Sequence, residues 1–199
     1  MWALVESNSV SKIYTRPTAI TVGDVNYPAN IMSMWTASEL EAIGIYEVVV
    51  DNTNLKDSNY YYNAHETFAF ASGVVTKSFG VATAKELTDV LWTAEETKPE
   101  GFSTGDVKQK GLKTERKENT NRDAHSLLSQ YDWYVLRATE GGTATPSAIT
   151  TYRTAVRTAS NSMCTKIDAV ANVDALAALY VYNSDDPPIR PLGEWPDTL

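Results

Sequence analysis

The amino-acid sequence predicts an α+β fold, with a small, mainly antiparallel β module at the front and a helical module at the back. Three observations carry this. Glycine, asparagine and aspartate punctuate the front half about every 8–12 residues, the spacing of short strands joined by tight turns. In the back half, apolar residues recur at intervals of three and four, the period of an amphipathic helix. Between them, the polar stretch 94–111 holds Glu95-Glu96, Pro99, Gly101 and Gly105. The expected organisation is therefore a β-rich module over 1–93, a polar linker over 94–111 and a helical module over 112–199.

The first strands are Trp2 to Val5 and Val10 to Tyr14, around a turn at Ser7-Asn8. A second hairpin joins Ala19–Val22 to Val25–Tyr27 through Gly23-Asp24, where glycine supplies positive φ at little steric cost. Pro28 ends that strand. Ala37 to Ile43 reads as a short helix, with Thr36 as N-cap and Gly44 closing it. Ile45 to Val50 is the clearest strand, and Thr67–Phe70 and Val74–Lys77 form a pair around Ser72-Gly73. Tyr60-Tyr61-Tyr62 reads either as a half-buried strand or as a recognition surface, since tyrosine offers large contact area at low entropic cost.

Lys108 to Arg122 is locally basic and almost free of apolar residues after Leu112, so it reads as an exposed helix with a thin contact stripe or as a frayed linker. A long helix starts at Thr145-Pro146, with a hydroxyl N-cap and proline in the first turn. Its stripe is Ile149, Tyr152, Val156, Ala159, Met163, Ile167 and Val170. A second helix spans roughly 174–182, and the tail from Asp185, with Pro187, Pro188, Pro191 and Pro196, reads as extended.

Composition narrows the function classes. At 199 residues and 43% hydrophobic, the chain can bury two small cores. Its net charge is −8, with a pI near 4.8, which argues against general affinity for nucleic acid or anionic lipid. The charge is uneven: residues 1–106 hold 6 Lys/Arg against 14 Asp/Glu, residues 107–199 hold 11 of each. The lone Cys164 allows no internal disulfide and reads as a buried, inert thiol. There is no apolar run of about 18 residues and no signal-like N-terminus, so no membrane insertion is expected.

No familiar catalytic or cofactor motif emerges. His65 and His125 stand in unrelated contexts without metal-ligand spacing. No phosphate-binding glycine loop and no nucleophile elbow is present. Glu95-Glu96 and Asp185-Asp186 lie in polar, turn-like settings where water keeps carboxylates ionised, unlike a buried general acid. The expectation is a non-enzymatic protein with no cofactor and no metal.

Attention falls instead on "YDWYVLRATEGG" and the helix after it. Asp132 is placed to cap a short helix on which Trp133, Leu136 and Arg137 share a face at i, i+3 and i+4. Glu140 is placed to pair with Arg137, and Gly141-Gly142 end the helix. Arg153 and Arg157 flank the Tyr152/Val156 stripe of the next helix. Trp133 is expected to wedge between the two helices, with an arginine stacked on its indole. Two readings stand: a structural lock between helices, or a face that docks a partner.

The pattern Asp132-Trp133, Arg137, Glu140-Gly141, Pro146, Tyr152-Arg153 and Val156-Arg157, with a late Trp195-Pro196, resembles the C-terminal region of bacteriophage tail-fibre assembly chaperones and related tail assembly proteins. In that family a helix carrying Asp-Trp precedes a helix of the YRxxLR type and a terminal Trp-Pro. Residues 127–157 and Trp195-Pro196 carry the match. The front string "NYPANIMSMWTASELEAIGIYEVV" is similar to a segment of short phage tail proteins, through Trp35-Thr36, Glu39-Leu40 and Ile43-Gly44-Ile45-Tyr46. Two features differ from the family pattern: Tyr131 stands where Thr is usual, and helices continue over 158–183.

The resemblance implies a phage tail protein that binds a tail fibre or another tail component, as a chaperone or as a structural part of the virion. Asp132, Trp133, Arg137, Tyr152, Arg153, Arg157 and Trp195 are the expected partner-binding residues. The partner is a phage tail or tail-fibre protein, self-association is allowed, and nucleic acid is not expected. The location is the host cytoplasm during assembly, or the virion tail. The alternatives are a receptor-binding or fibre-tip module and, last, a glycan hydrolase.

Overall fold

A computed structural model describes residues 1–199. The chain divides into two units, Met1–Thr83 and Ala84–Leu199. The fold is α+β: a sheet of mostly antiparallel strands, then helices. No helix is long and apolar enough to cross a membrane.

In the first unit a five-stranded sheet runs in the order β2-β1-β5-β8-β7. Its strands are β1 (Trp2–Glu6), β2 (Ser9–Tyr14), β5 (Ile45–Val50), β7 (Glu66–Ala71) and β8 (Val74–Phe79). Ser7 and Asn8 take positive φ in the β1–β2 turn, and Ser72-Gly73 do so between β7 and β8. The joint between β5 and β8 is parallel, aligning Val48 with Val75; the other joints are antiparallel. The edge strands β2 and β7 come round towards one another, so the sheet curls.

Alternation along the strands makes two cores. Ala3, Val5, Ile13, Tyr46, Val48, Phe68, Phe70 and Val75 meet on one face. Leu4, Tyr14 and Ile45 point to the other. There they are covered by the hairpin β3 (Ile20–Val22) and β4 (Val25–Tyr27) and by helices α1 (Ile31–Met34) and α2 (Ala37–Ala42), through Ile20, Ile31, Met32 and Leu40. Thr36 and Glu39 form a full capping box at the start of α2. Gly44, just beyond it, has φ +82° and its carbonyl accepts the Val5 N–H at 2.8 Å.

The tyrosine run is only partly a strand. Tyr60 is buried in a turn, its N–H donating to the Asp57 carbonyl. Only β6 (Tyr61–Tyr62) is extended, paired with β9 (Thr83–Ala84), and Tyr62 is exposed.

The unit boundary differs from the sequence expectation. The stretch 94–111 lies wholly inside the second unit, and its end forms β11 (Val107–Gln109), paired with β10 (Val90–Leu91). The reason is a set of hydrogen bonds between residues 86–89 and the start of helix α3 (Leu112–Ser129). Leu112 N–H donates to the Glu86 carbonyl at 2.9 Å and Lys113 N–H to Leu87 at 3.0 Å. Gly111 N–H donates to the Asp89 carboxylate at 2.7 Å. Asp89 thereby faces the positive end of the α3 dipole.

Hydrogen bonds from Gly111 and Thr114, with Lys110 and Lys117 adding charge, hold the Asp89 carboxyl below its ordinary 3.8, against a smaller opposing effect of burial. A depressed folded pKa contributes stability that is complete above the unfolded value and disappears as pH falls through the folded one. The urea midpoint of the wild type is therefore expected to drop more steeply below pH 3.8 than that of Asp89→Asn. Parallel curves for the two proteins would remove this contribution.

The basic stretch is helical. On α3 only Leu112, Thr120 and Ala124 are buried, a contact stripe of mostly small residues. They pack on helix α5 (Ser147–Ala169), which buries Ile149, Tyr152, Arg153, Val156, Ser160, Met163 and Ile167. The helices run antiparallel: Lys113 and Lys117 reach Asp168, Asn121 meets Ser160, and Arg153 meets the end of α3. The two lysines also sit beside the negative C-terminal end of α5.

Three sequence expectations shift here. Thr145 does not cap α5; Pro146 is the cap residue, and the Thr145 hydroxyl donates to the Tyr134 carbonyl at 3.2 Å. Val170 lies just past the helix. The next helix, α6 (Val173–Ala178), starts and ends earlier than expected because Asn172 caps it, accepting from Ala175 N–H. The tail then returns over the helices, with Leu192 buried and Lys166 donating to the Pro191 and Leu192 carbonyls at 2.7 and 3.1 Å.

Candidate docking site

The short helix α4 (Asp132–Thr139) leaves α3 through Gln130-Tyr131 and is held by one strong cross-link. Arg153 Nη1 donates to Asp132 Oδ1 at 2.7 Å and to the Leu128 carbonyl at 2.8 Å. One guanidinium therefore ties the end of α3, the start of α4 and the middle of α5. Asp132 was expected to cap its own helix; instead it is the first helical residue, Tyr131 is the cap position, and no side chain caps. A carboxylate so placed does better with a nearly buried guanidinium than with amide N–H groups open to water.

Trp133 is not wedged between helices. It is 51% exposed, and Leu136 beside it is 59% exposed. Its indole lies tilted on Tyr134, ring centroids 3.8 Å apart, and the Arg137 guanidinium sits 4.7 Å from the indole centroid. The expected indole–guanidinium stack thus forms within α4, between i and i+4, and not across helices. Arg137 turns to the rings rather than to Glu140, and its Nε is buried without an acceptor.

The backing of this stack comes from the helix end. Gly141 N–H donates to the Ala138 carbonyl and Gly142 N–H to the Arg137 carbonyl, a Schellman closure with Gly141 at φ +84°. A Cβ at Gly142 would lie 2.8 Å from Arg137 Cγ. Gly142 therefore leaves the room that lets the Arg137 stem turn towards Trp133, a role the sequence reading did not give it.

Tyr152 and Trp195 belong to the scaffold. Tyr152 is 4% exposed, meets Tyr131 edge to face at 5.3 Å, and packs with Ala124, Val156 and Trp195. Burial raises its phenol above 10.0, Tyr131 adding to the shift, and its hydroxyl has no partner. Trp195 also forms one wall of an open groove of about 750 Å³ along α5, with Thr151, Ala155, Thr158 and Ser162. Arg157 is exposed, on the wall of a hollow of about 290 Å³ between α4 and α5. The seven residues thus form a clasp around the buried Tyr152 and Arg153, joined by the exposed Asp132 and the half-buried Trp195, and outward groups (Trp133, Arg137, Arg157).

No family model matches the chain, and no relative was found among curated proteins or solved structures.

The remaining reactive groups lie apart from this face. Cys164, expected to be buried, is only partly so; burial still raises its thiol above 9.0, and Sγ lies 3.8 Å from Asn121 Oδ1. No three His, Cys, Asp or Glu side chains gather to hold a metal. Glu96, one of the paired carboxylates, is held at about 2 by Lys108 and Thr93, which keeps it ionised.

Proposed function

We propose that this is a non-enzymatic bacteriophage tail protein that docks on a tail fibre or another tail component through α4. The observation that carries the reading is the Trp133 platform. A large indole is held in one orientation by Tyr134 and Arg137, at the surface, next to the exposed Leu136. Tryptophan and arginine dominate binding hot spots, and a side chain already fixed loses little entropy on binding. The clasp beneath it gives a rigid base. The resemblance of the Asp132–Arg157 pattern and Trp195-Pro196 to tail-fibre assembly proteins supplies the tail context.

Trp133→Ala removes the platform without touching the Asp132–Arg153 clasp. It is expected to keep the fold and to weaken capture of its tail partner roughly tenfold or more. Folded Trp133→Ala that retains the partner as well as the wild type would sink the reading. Quantitative mass spectrometry of purified particles separates the two forms of the role. A virion part is present at a stoichiometry set by tail symmetry; a chaperone is found in infected-cell extracts and is missing from particles.

A further inference from the structure

We propose that the hollow between α4 and α5 receives an acidic side chain of the docking partner, its carboxylate held by Arg157 and Arg153. This rests on the docking reading above and names the chemistry of the partner.

The hollow is lined by Val135, Thr145, Thr150, Arg153, Thr154 and Arg157. Both charged residues on its wall are positive, in a chain of net charge −8. Arg153 is already matched by Asp132 through Nη1, which leaves its other N–H groups but no net charge in that pair. Arg157 is exposed and has no carboxylate against it. The hollow thus carries one uncompensated positive charge, which one carboxylate balances.

The hydroxyls narrow the ligand further. Thr150 and Thr154 donate to the carbonyls of Pro146 and Thr150, and Thr145 donates to Tyr134. Their hydrogens are committed, so the guanidiniums are the donors left to a ligand. An acceptor-only, negatively charged group fits; a second cation does not. A guanidinium grips a carboxylate through two parallel N–H···O bonds, which fixes direction as well as charge.

A protein side chain is favoured over a free anion by what adjoins the hollow. Val135, its apolar wall, gives the methylene stem of an Asp or Glu side chain a surface to pack on, which a free anion lacks. At about 290 Å³ the hollow lies at the lower end of small-molecule pockets, enough for a side chain.

The test uses the full isotopically labelled chain and a synthetic hexaglutamate peptide, with hexaglutamine and inorganic phosphate as comparison probes. Hexaglutamate is expected to shift the amide resonances of 150–157, more weakly as salt rises. Arg157→Gln, at an exposed position where the fold is not at stake, is expected to weaken it roughly tenfold, and Arg157→Lys less. Equal binding of hexaglutamine, an unchanged Arg157→Gln, or phosphate binding as tightly as the peptide would each overturn the proposal. Capture of the tail partner separates the two ideas. If Arg157→Gln captures normally while Trp133→Ala does not, the acidic contact falls and the docking reading stands. If Trp133→Ala captures normally, the docking reading falls.

Discussion

Gly111→Ala is expected to destabilise the second unit by about 3 kcal/mol, because no other glycine of this chain leaves a Cβ so little room. The cause is not conformational freedom. Gly111 has φ −83° and ψ 163°, an extended geometry open to any residue. A Cβ there would fall 2.2 Å from the Thr88 carbonyl carbon and 2.4 Å from its oxygen. Those are backbone atoms, and no rotamer change relieves the overlap. Residues 86–89 must lift from the start of α3, which breaks the hydrogen bonds of Leu112, Lys113 and Gly111 at about 1 kcal/mol each. Urea denaturation reads the loss directly. A midpoint within error of the wild type would mean that the segment can shift without losing those bonds. Gly101→Ala is the contrasting control: nothing lies within 4 Å of a Cβ there, and only the positive φ of +90° costs, about 1 kcal/mol.

Gly111 also marks where sequence reading stops. The turns at Ser7-Asn8 and Gly23-Asp24, the Thr36 cap and the strand Ile45–Val50 were all legible, because their causes lie within a few residues. The boundary at Thr83 was not. It depends on bonds between residues 86–89 and 111–113, and nothing local to Glu86 announces a partner more than twenty residues on. Polar composition around 94–111 suggested a linker, but polar side chains say little about a backbone that pairs as strand β11.

Arg153→Met is expected to cost about 2 kcal/mol, seen as a lower urea midpoint at unchanged slope. The substitution keeps much of the packed stem and removes both hydrogen bonds of Nη1. Asp132, with 55% of its side chain exposed, returns to water at little cost. The Leu128 carbonyl keeps the Tyr131 N–H at 3.1 Å but loses its charge-assisted bond to α5, and that accounts for most of the loss. Asp132→Asn keeps an acceptor for Arg153 and is expected to cost only about 0.5–1 kcal/mol. If the two variants lose the same stability, the charge on Asp132, and not the Leu128 bond, sets the energy of the clasp.

The nearness of some of the site's residues was legible, and their wiring was not. Tyr152, Arg153 and Trp195 meet around one helical cluster, while Trp133 and Arg137 stack on α4 alone. Which arginine meets which partner was not legible. Spacing on α4 places both Glu140 and Trp133 within reach of Arg137, and the guanidinium lies on the rings, with Gly142 leaving room for its stem. Asp132 faced a similar choice between its own helix and a residue 21 positions away, and the distant guanidinium won.

The curling of the first unit's sheet has a consequence for how copies of the chain meet one another. Strands β2 and β7, the outermost on either side, lie beside each other. Each screens the other's unpaired amides from strangers, so neighbouring copies find no long, flat ribbon to extend. The unit is thereby kept from zipping edge to edge into fibrils at high concentration, whatever its helices hold.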